Sequence, residues 1–386
     1  MDTPVYLDNN ATTRLAPEAL EAMLPYLREQ YGNAGSAHLL GRLAEGAVAH
    51  ARGQVAALLG CGEAEVVFNS GGTEGLNHAI RGVFEAKPGR RHFVTTAVEH
   101  SAVLAIAQWL QAQGVEVTLL GVDRDGRLDL GRLEAALRPD TALVSVMAAN
   151  NESGVLFPLE EAGRIARARG VLFHVDGTQA VGKVPIDLSR LPVDLLNLSA
   201  HKLHGPKGVG VLYLRRGLRV RPFMVGGGQE RGRRGGTENV PGIVGLGKAA
   251  ELAAAHLEAM AGPVRALRDR LEADLLDRVP DIRINGAGAG RVPNTSFVSF
   301  RGIEGEALFL KLSDRGVCVS TGSACTTGQR EPSHVLRAMG LEPEWAQGTV
   351  RFSLSRYTTG DEIRKVADLV LELVAELRAS GAVGRR

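Results

Sequence analysis

A few ionisable side chains sit in surroundings that suit covalent and proton-transfer chemistry. Lys202 ends the run Ser199-Ala200-His201-Lys202, directly after the apolar stretch Asp194–Leu198. A lysine amine partly withdrawn from water has a lowered pKa and can condense with an aldehyde as a Schiff base. The alternative is a surface lysine with its ammonium in solvent. Asp176 follows Val171–Val175 and precedes Gly177-Thr178-Gln179. A carboxylate at a buried strand end needs a partner, and a protonated pyridine nitrogen would serve. It could equally cap the following turn. His100, in Glu99-His100-Ser101, can stack on a flat ring and move protons near neutral pH, or be structural. Ser70-Gly71-Gly72-Thr73 precedes a helical pattern. Glycine backbone and a helix N-terminus together favour an anion such as phosphate, although Thr73 could simply be a helix cap.

A fifth group lies far along the chain. Cys325 stands in Ser320-Thr321-Gly322-Ser323-Ala324-Cys325-Thr326-Thr327-Gly328, among small residues that give it nothing to pack against. Such a thiol can reach a substrate, attack as thiolate and carry a product away, or be incidental. Pro332 with Ser333-His334 then reads as a helix start. Cys318, in Val317-Cys318-Val319, reads as core, and Cys61 as a loop residue; the three spacings make no zinc pattern and no disulfide framework.

The elements that must position these groups are legible as apolar runs. Strands are expected at Glu65–Phe68, His92–Thr96, Val115–Leu120, Ala142–Met147, Val171–Val175, Asp194–Leu198 and Val209–Leu214. Helical patterns lie between most of them, at Thr73–Glu85, Ala102–Gln113 and Leu159–Arg169. This alternation predicts an α/β fold with a mainly parallel, seven-stranded sheet covered on both faces. A Gly/Arg-rich stretch, Gly226–Gly236, and one long helix from Val240 to Arg278 follow. The rest reads as a smaller α+β domain. The expected division is a large domain at 14–250, and a small one of 1–13 plus 251–386 carrying a cysteine loop at about 320–331.

In an open parallel sheet, ligands bind beyond the carboxyl ends of the strands. A phosphate seat, an aspartate, a lysine and a histidine follow four strands of one expected sheet, and a pyridoxal 5'-phosphate site needs that set. Gly177–Val184 imitates a nucleotide-binding phosphate loop, but Val184 stands where a magnesium-binding hydroxyl belongs and Pro185 replaces the helix. The 386 residues carry a net charge of +2, so neither nucleic acid nor an anionic membrane is implied as a partner. The N-terminus has no basic and apolar leader pattern and no run is long enough to span a bilayer, so a cytoplasmic location is expected.

These residues resemble the group I cysteine desulfurases, the nitrogenase-associated and housekeeping type, within class V of the fold-type-I pyridoxal phosphate enzymes. The resemblance runs from Tyr6-Leu7-Asp8-Asn9-Asn10-Ala11-Thr12-Thr13 almost to the C-terminus. Its most specific parts are His174-Val175-Asp176-Gly177-Thr178-Gln179, Ser199-Ala200-His201-Lys202, Gly226–Asn239 and Gly322-Ser323-Ala324-Cys325-Thr326.

The resemblance implies that Lys202 carries the cofactor, that His100 stacks on its ring, that Asp176 pairs with the ring nitrogen and that Gln179 reaches the ring hydroxyl. Gly72, Thr73, Ser199 and His201 would hold the phosphate. Thr237 would reach the phosphate held by a second subunit, implying a homodimer. Asn151, Arg351 and Asn33 would meet the substrate, L-cysteine, and Cys325 would receive its sulfur as a persulfide while L-alanine leaves. No metal is implied at the site. The sulfur would pass to an acceptor such as an iron–sulfur scaffold protein. The chain departs from the family pattern at Ala34, often proline; at Val225, often basic; and at Gly235, often serine or alanine. Selenocysteine lyase, another class V aminotransferase or lyase, and a non-catalytic sulfur or iron–sulfur binding module are the alternatives.

Overall fold

The computed structural model describes residues 4–321 and 332–383. After a short first strand, β1 (Val5–Tyr6), seven strands build one sheet: β2 (Val66–Asn69), β3 (His92–Thr96), β4 (Glu116–Leu120), β5 (Thr141–Met147), β6 (Leu172–Asp176), β7 (Leu195–Ser199) and β8 (Gly210–Leu214). Their order across the sheet is β2-β8-β7-β6-β5-β3-β4. All run parallel except β8, which is antiparallel to both of its neighbours. Each expected strand is present, shifted by at most a residue or so at its ends.

β5, β6 and β7 are buried along their whole length because helices cover both faces. One face packs Val144, Val146, Phe173 and Leu198 against the helices Leu39–Leu59, Leu159–Ala168 and Val240–Ala255. The other packs Val67, Phe93, Leu143 and Leu195 against the helices Gly72–Ala86 and Ser101–Ala112.

A separate apolar core gathers under a four-stranded antiparallel sheet of β9 (Ile282–Ile284), β10 (Thr295–Phe300), β12 (Ser320–Thr321) and β13 (Thr349–Ser353). The strand β11 (Val317–Cys318) pairs in parallel with β1, which attaches the N-terminus to this second core. Cys318 is half-buried there rather than fully in the core. Among the described residues, no helix is long and apolar enough to cross a membrane.

The expected single helix from Val240 to Arg278 is broken. It stops at Ala255, passes through a short turn and a wide turn at Met260–Val264, and resumes at Arg265–Arg278. Pro263 lies in the wide turn; it has no N–H to donate and its ring crowds the preceding turn, so the regular ladder cannot pass through it. The helix expected to begin at Pro332 begins at His334, with Ser333 as its cap, the Ser333 Oγ accepting from the Val335 N–H.

His78, on the helix Gly72–Ala86, sits among Leu76, Ala79 and Ile80, and neither buried ring nitrogen has a hydrogen-bond partner. Burial pushes its pKa down to about 4, with Arg233 adding to the fall and Glu74 opposing it. The folded value lies below the unfolded one. The stability contributed by the neutral ring is therefore complete above about pH 6.5 and lost as the pH falls toward 4. His78→Leu should stabilise the protein, and its gain over the wild type should grow by on the order of 2 to 3 kcal/mol between pH 7 and pH 4.5. Urea unfolding at the two pH values measures this; a gain that does not change with pH would mean the imidazole is not held neutral.

Candidate active site

The carboxyl ends of β3, β5, β6 and β7 open onto one cavity of about 270 Å³. Gly72, Thr73, His100, Asn151, Asp176, Gln179, Ser199, His201 and Lys202 all line it, together with Met147, Ala149 and Thr178. The cavity lies at the switch point of the sheet, where β5 leaves β4 behind and returns to pair on the other side of β3.

Lys202 ends the short turn that follows β7. Its Nζ donates to the backbone oxygens of Asn10 at 2.6 Å and Ala11 at 2.7 Å. Burial pushes its pKa down to about 8, Arg351 adds to the fall, and Asp8 and Asp176 oppose it. An amine so placed exists partly as the free base at neutral pH, the form that attacks an aldehyde.

Asp176 is the buried last residue of β6. One oxygen accepts from the Thr178 N–H at 3.0 Å, so the turn-capping reading holds as well, and from Asn197 Nδ2 at 3.1 Å. That second bond fixes the Asn197 amide, leaving its Oδ1 to accept from His174 Nε2 at 2.9 Å. His174 Nδ1 in turn accepts from Ser145 Oγ at 2.8 Å. Complete burial pushes the pKa of His174 down to about 4 and keeps this relay neutral.

His100 caps the helix Ser101–Ala112, its Nδ1 accepting from the Ala102 N–H at 3.2 Å, so the neutral ring carries its proton on Nε2. Although the ring is exposed to the open cavity, desolvation by the surrounding protein holds its pKa below the usual value. Beneath it, Glu99 is fully buried: its Oε1 accepts from Thr96 Oγ1 and the Met147 N–H, while Oε2 has no partner. Burial pushes this carboxyl up to about 8, so it is held as the neutral acid.

Gly72 and Thr73 form the first turn of the helix Gly72–Ala86, after Gly71 at φ 142°. That angle excludes a side chain without strain, so Gly71 and not Thr73 occupies the cap position. Ser199 and His201 stand opposite this helix N-terminus. His201 Nδ1 lies 3.1 Å from Thr12 Oγ1, and burial, then Lys202 and Lys207, push its pKa down to about 4. Backbone donors, a hydroxyl and an imidazole around one space suit a phosphate. The amine, the carboxylate, the flat ring and this anion seat share one cavity, and their donor chemistry fits pyridoxal phosphate.

Three expected site residues lie off the cavity wall. Arg351, in β13, is buried with Nη2 at 2.7 Å from Asp8 Oδ1 and Nη1 at 2.9 Å from the Asn151 backbone oxygen; its buried Nε has no partner. Asn33 is exposed between two helices and accepts from the Gly35 N–H. Thr237 is exposed at the end of the Gly/Arg-rich stretch. That stretch is anchored by Glu230, whose carboxylate meets both Arg52 terminal nitrogens at 2.7–2.8 Å, and by Arg234 on Glu74. Cys325 falls outside the described residues. The described chain on either side approaches the cavity: Ser320 pairs with Arg351, and His334 Nε2 donates to the Glu99 backbone oxygen at 2.8 Å.

Asn197, Glu99, Asn10 and Lys183 had no expected role in the site, although Asn10 stands inside the Tyr6–Thr13 match and Lys183 inside the phosphate-loop imitation. Asn197 was detectable only as a polar residue just before Ser199, and nothing local distinguishes Glu99 from a surface carboxylate.

The class-V aminotransferase family profile matches residues 5–366. A cysteine desulfurase of Trichormus azollae is 54% identical over 97% of this chain and 94% of its own length. A solved NifS-like protein superimposes with a TM-score of 0.92 at 41% identity, over 97% of this chain and 100% of the other. The solved structure of SspA in complex with cysteine has a TM-score of 0.81 at 34% identity, covering 92% and 100%. The chain belongs to the class-V aminotransferase family.

Proposed function

We infer that the chain is a pyridoxal-phosphate-dependent cysteine desulfurase, converting L-cysteine and a protein thiol to L-alanine and a protein persulfide. The observation that carries this is the half-buried Lys202 amine facing Asp176 and the phosphate seat across one cavity, in a chain matched nearly end to end by cysteine desulfurases. When bound, pyridoxal phosphate supplies an aldehyde for the Lys202 amine and a ring that takes up electrons from the substrate's Cα. Asp176 keeps the ring nitrogen protonated, and the Asn197–His174–Ser145 relay holds that carboxylate in place.

The Lys202 amine, its pKa lowered by burial, would remove the Cα proton. Arg351 receives the substrate carboxylate; its partnerless Nε is a donor that such a carboxylate would satisfy. Asn151 and Asn33 would assist there, and Gln179 would hold the ring hydroxyl. His100, with its proton on Nε2, would stack on the ring and supply a proton at the sulfur. The Cys325 thiolate attacks that sulfur, the S–Cβ bond breaks, and the departing carbon is protonated to alanine. Atoms balance as cysteine plus thiol giving alanine plus persulfide.

The protein works as a homodimer in the cytoplasm. Its Glu230- and Arg234-anchored stretch offers Thr237 to the neighbouring subunit's phosphate, and the persulfide passes to a scaffold protein for iron–sulfur cluster assembly. A large domain at 14–250 carries the cofactor residues, and a small one, 1–13 with 251–386, carries Arg351 and the cysteine segment. The separate apolar core beneath β9, β10, β12 and β13 supports that division.

With L-cysteine and a thiol reductant, the purified protein should release sulfide and alanine in equal amounts. Cys325→Ala should lose both by at least about a hundredfold while keeping its bound yellow cofactor. Undiminished sulfide from the variant would remove Cys325 from the reaction, and undiminished turnover of selenocysteine alone would point to a selenocysteine lyase. Asn197→Leu, which strips Asp176 of its side-chain donor, should lower turnover about tenfold with the cofactor still bound. Wild-type turnover in that variant would separate the relay from catalysis.

A further inference from the structure

Lys183 is the lysine of the Gly177–Val184 segment that imitates a phosphate loop. It is only 6% exposed. Its Nζ lies 2.8 Å from Asn10 Oδ1 and 2.6 Å from Gln179 Oε1. Both acceptors are amide oxygens, so neither neutralises an ammonium. Burial, with Lys202 and Arg351 as like charges, pushes this pKa well below the usual lysine value. A neutral amine has two hydrogens, and the two oxygens take both. Filling this space alone would be done better by an apolar side chain, because a buried amine carries a desolvation cost.

Lys183 holds Asn10, and Asn10 is fixed on every side. Its Oδ1 also accepts from Asn294 Nδ2, its Nδ2 donates to Thr295 Oγ1 and the Asn151 backbone oxygen, and its N–H donates to Ser353 Oγ. Its backbone oxygen is the one that receives Lys202 Nζ and Gln179 Nε2. A second cavity of about 30 Å³, lined by both Lys183 and Lys202, lies behind this segment, with room for a water molecule or two. The segment is therefore braced there by polar contacts rather than by close packing.

We propose that Lys183 is a positioning residue which, through Asn10, fixes the two backbone oxygens on which the Lys202 amine rests whenever it is not bonded to the cofactor. This rests on the reading of Lys202 as the cofactor lysine. Asp8, Asp176, Arg351, His100 and His201 also face Lys202, and His204 faces Lys183. Lys183→Met leaves all of these in place; it removes the bonds to Asn10 and Gln179 and a like charge facing Lys202 that burial has already weakened, so the loosened oxygens set the sign of the shift. Carbonyl oxygens favour the ammonium form of Lys202, so loosening them lowers its affinity for the proton.

The test follows uptake of pyridoxal phosphate by cofactor-stripped protein against pH, read by the visible absorbance of covalent attachment. Only the neutral amine attacks, so the midpoint reports the protonation of Lys202. In Lys183→Met the midpoint should fall by about one pH unit, the size of a weakened hydrogen bond to a charged group. Turnover should fall about tenfold with KM for L-cysteine nearly unchanged. Asn10→Ala should shift the midpoint likewise, and the double variant should shift it no further than either single one. A midpoint at the wild-type value, or a double shift equal to the sum of the singles, overturns the proposal even where melting temperature falls. Lys183→Gln, which keeps a donor, serves if Lys183→Met does not fold, and should give an intermediate shift; a wild-type midpoint there also overturns it. Covalent uptake that persists in Lys202→Ala would instead overturn the reading of Lys202.

Discussion

A lysine amine resting on a carbonyl oxygen 192 residues away is the contact on which the site depends. The N-terminal segment runs between the two sheets and bonds to both. Leu7 donates to the Cys318 backbone oxygen and Asn9 to that of Ser353, on the side of the second core, while Thr13 donates to that of His201 on the side of the large sheet. Asp8 pairs with Arg351 in the same passage. Neither sheet alone defines where Lys202 points, because its immediate acceptors belong to this shared segment.

Around that contact the protein keeps few net charges. His174 and His201 are held neutral by desolvation, and Glu99 is held as the uncharged acid for the same reason. The charges left to act in and beside the cavity include those of Asp176, Lys202 and the Asp8–Arg351 pair. In a space with little water these interact more strongly than on a surface, and neutral neighbours do not compete with them.

Much of this was legible in the residue order. Strand ends are visible because apolar runs stop at a polar residue, and Asp176, Ser199, Lys202 and His100 all lie at or just past such stops. The glycine-rich start of the helix Gly72–Ala86 was legible as a turn that could seat an anion or simply cap the helix. What could not be read was long-range. Asn197 gains its role only when β6 and β7 pair and bring its amide beside Asp176. Glu99 resembles any surface carboxylate until β5 closes over it. The helix expected through residue 278 ignored Pro263, because the alanine- and leucine-rich sequence around it outweighed one breaker. Arg351 was recognisable through family resemblance, yet its bond to Asp8 joins positions 343 apart.

The pairing of residues 8–10 with β13 has a consequence for biosynthesis. Asn9 and Asn10 bond to Ser353, and Asp8 to Arg351, so residues 8–10 are synthesised more than 300 residues before the partners they bond. The large sheet can close when β8 has emerged, since its farthest-downstream strand ends at Leu214. The cradle for the Lys202 amine cannot close until translation has passed β13. A nascent chain thus carries a folded sheet with an unfinished site until β13 has followed it out of the ribosome.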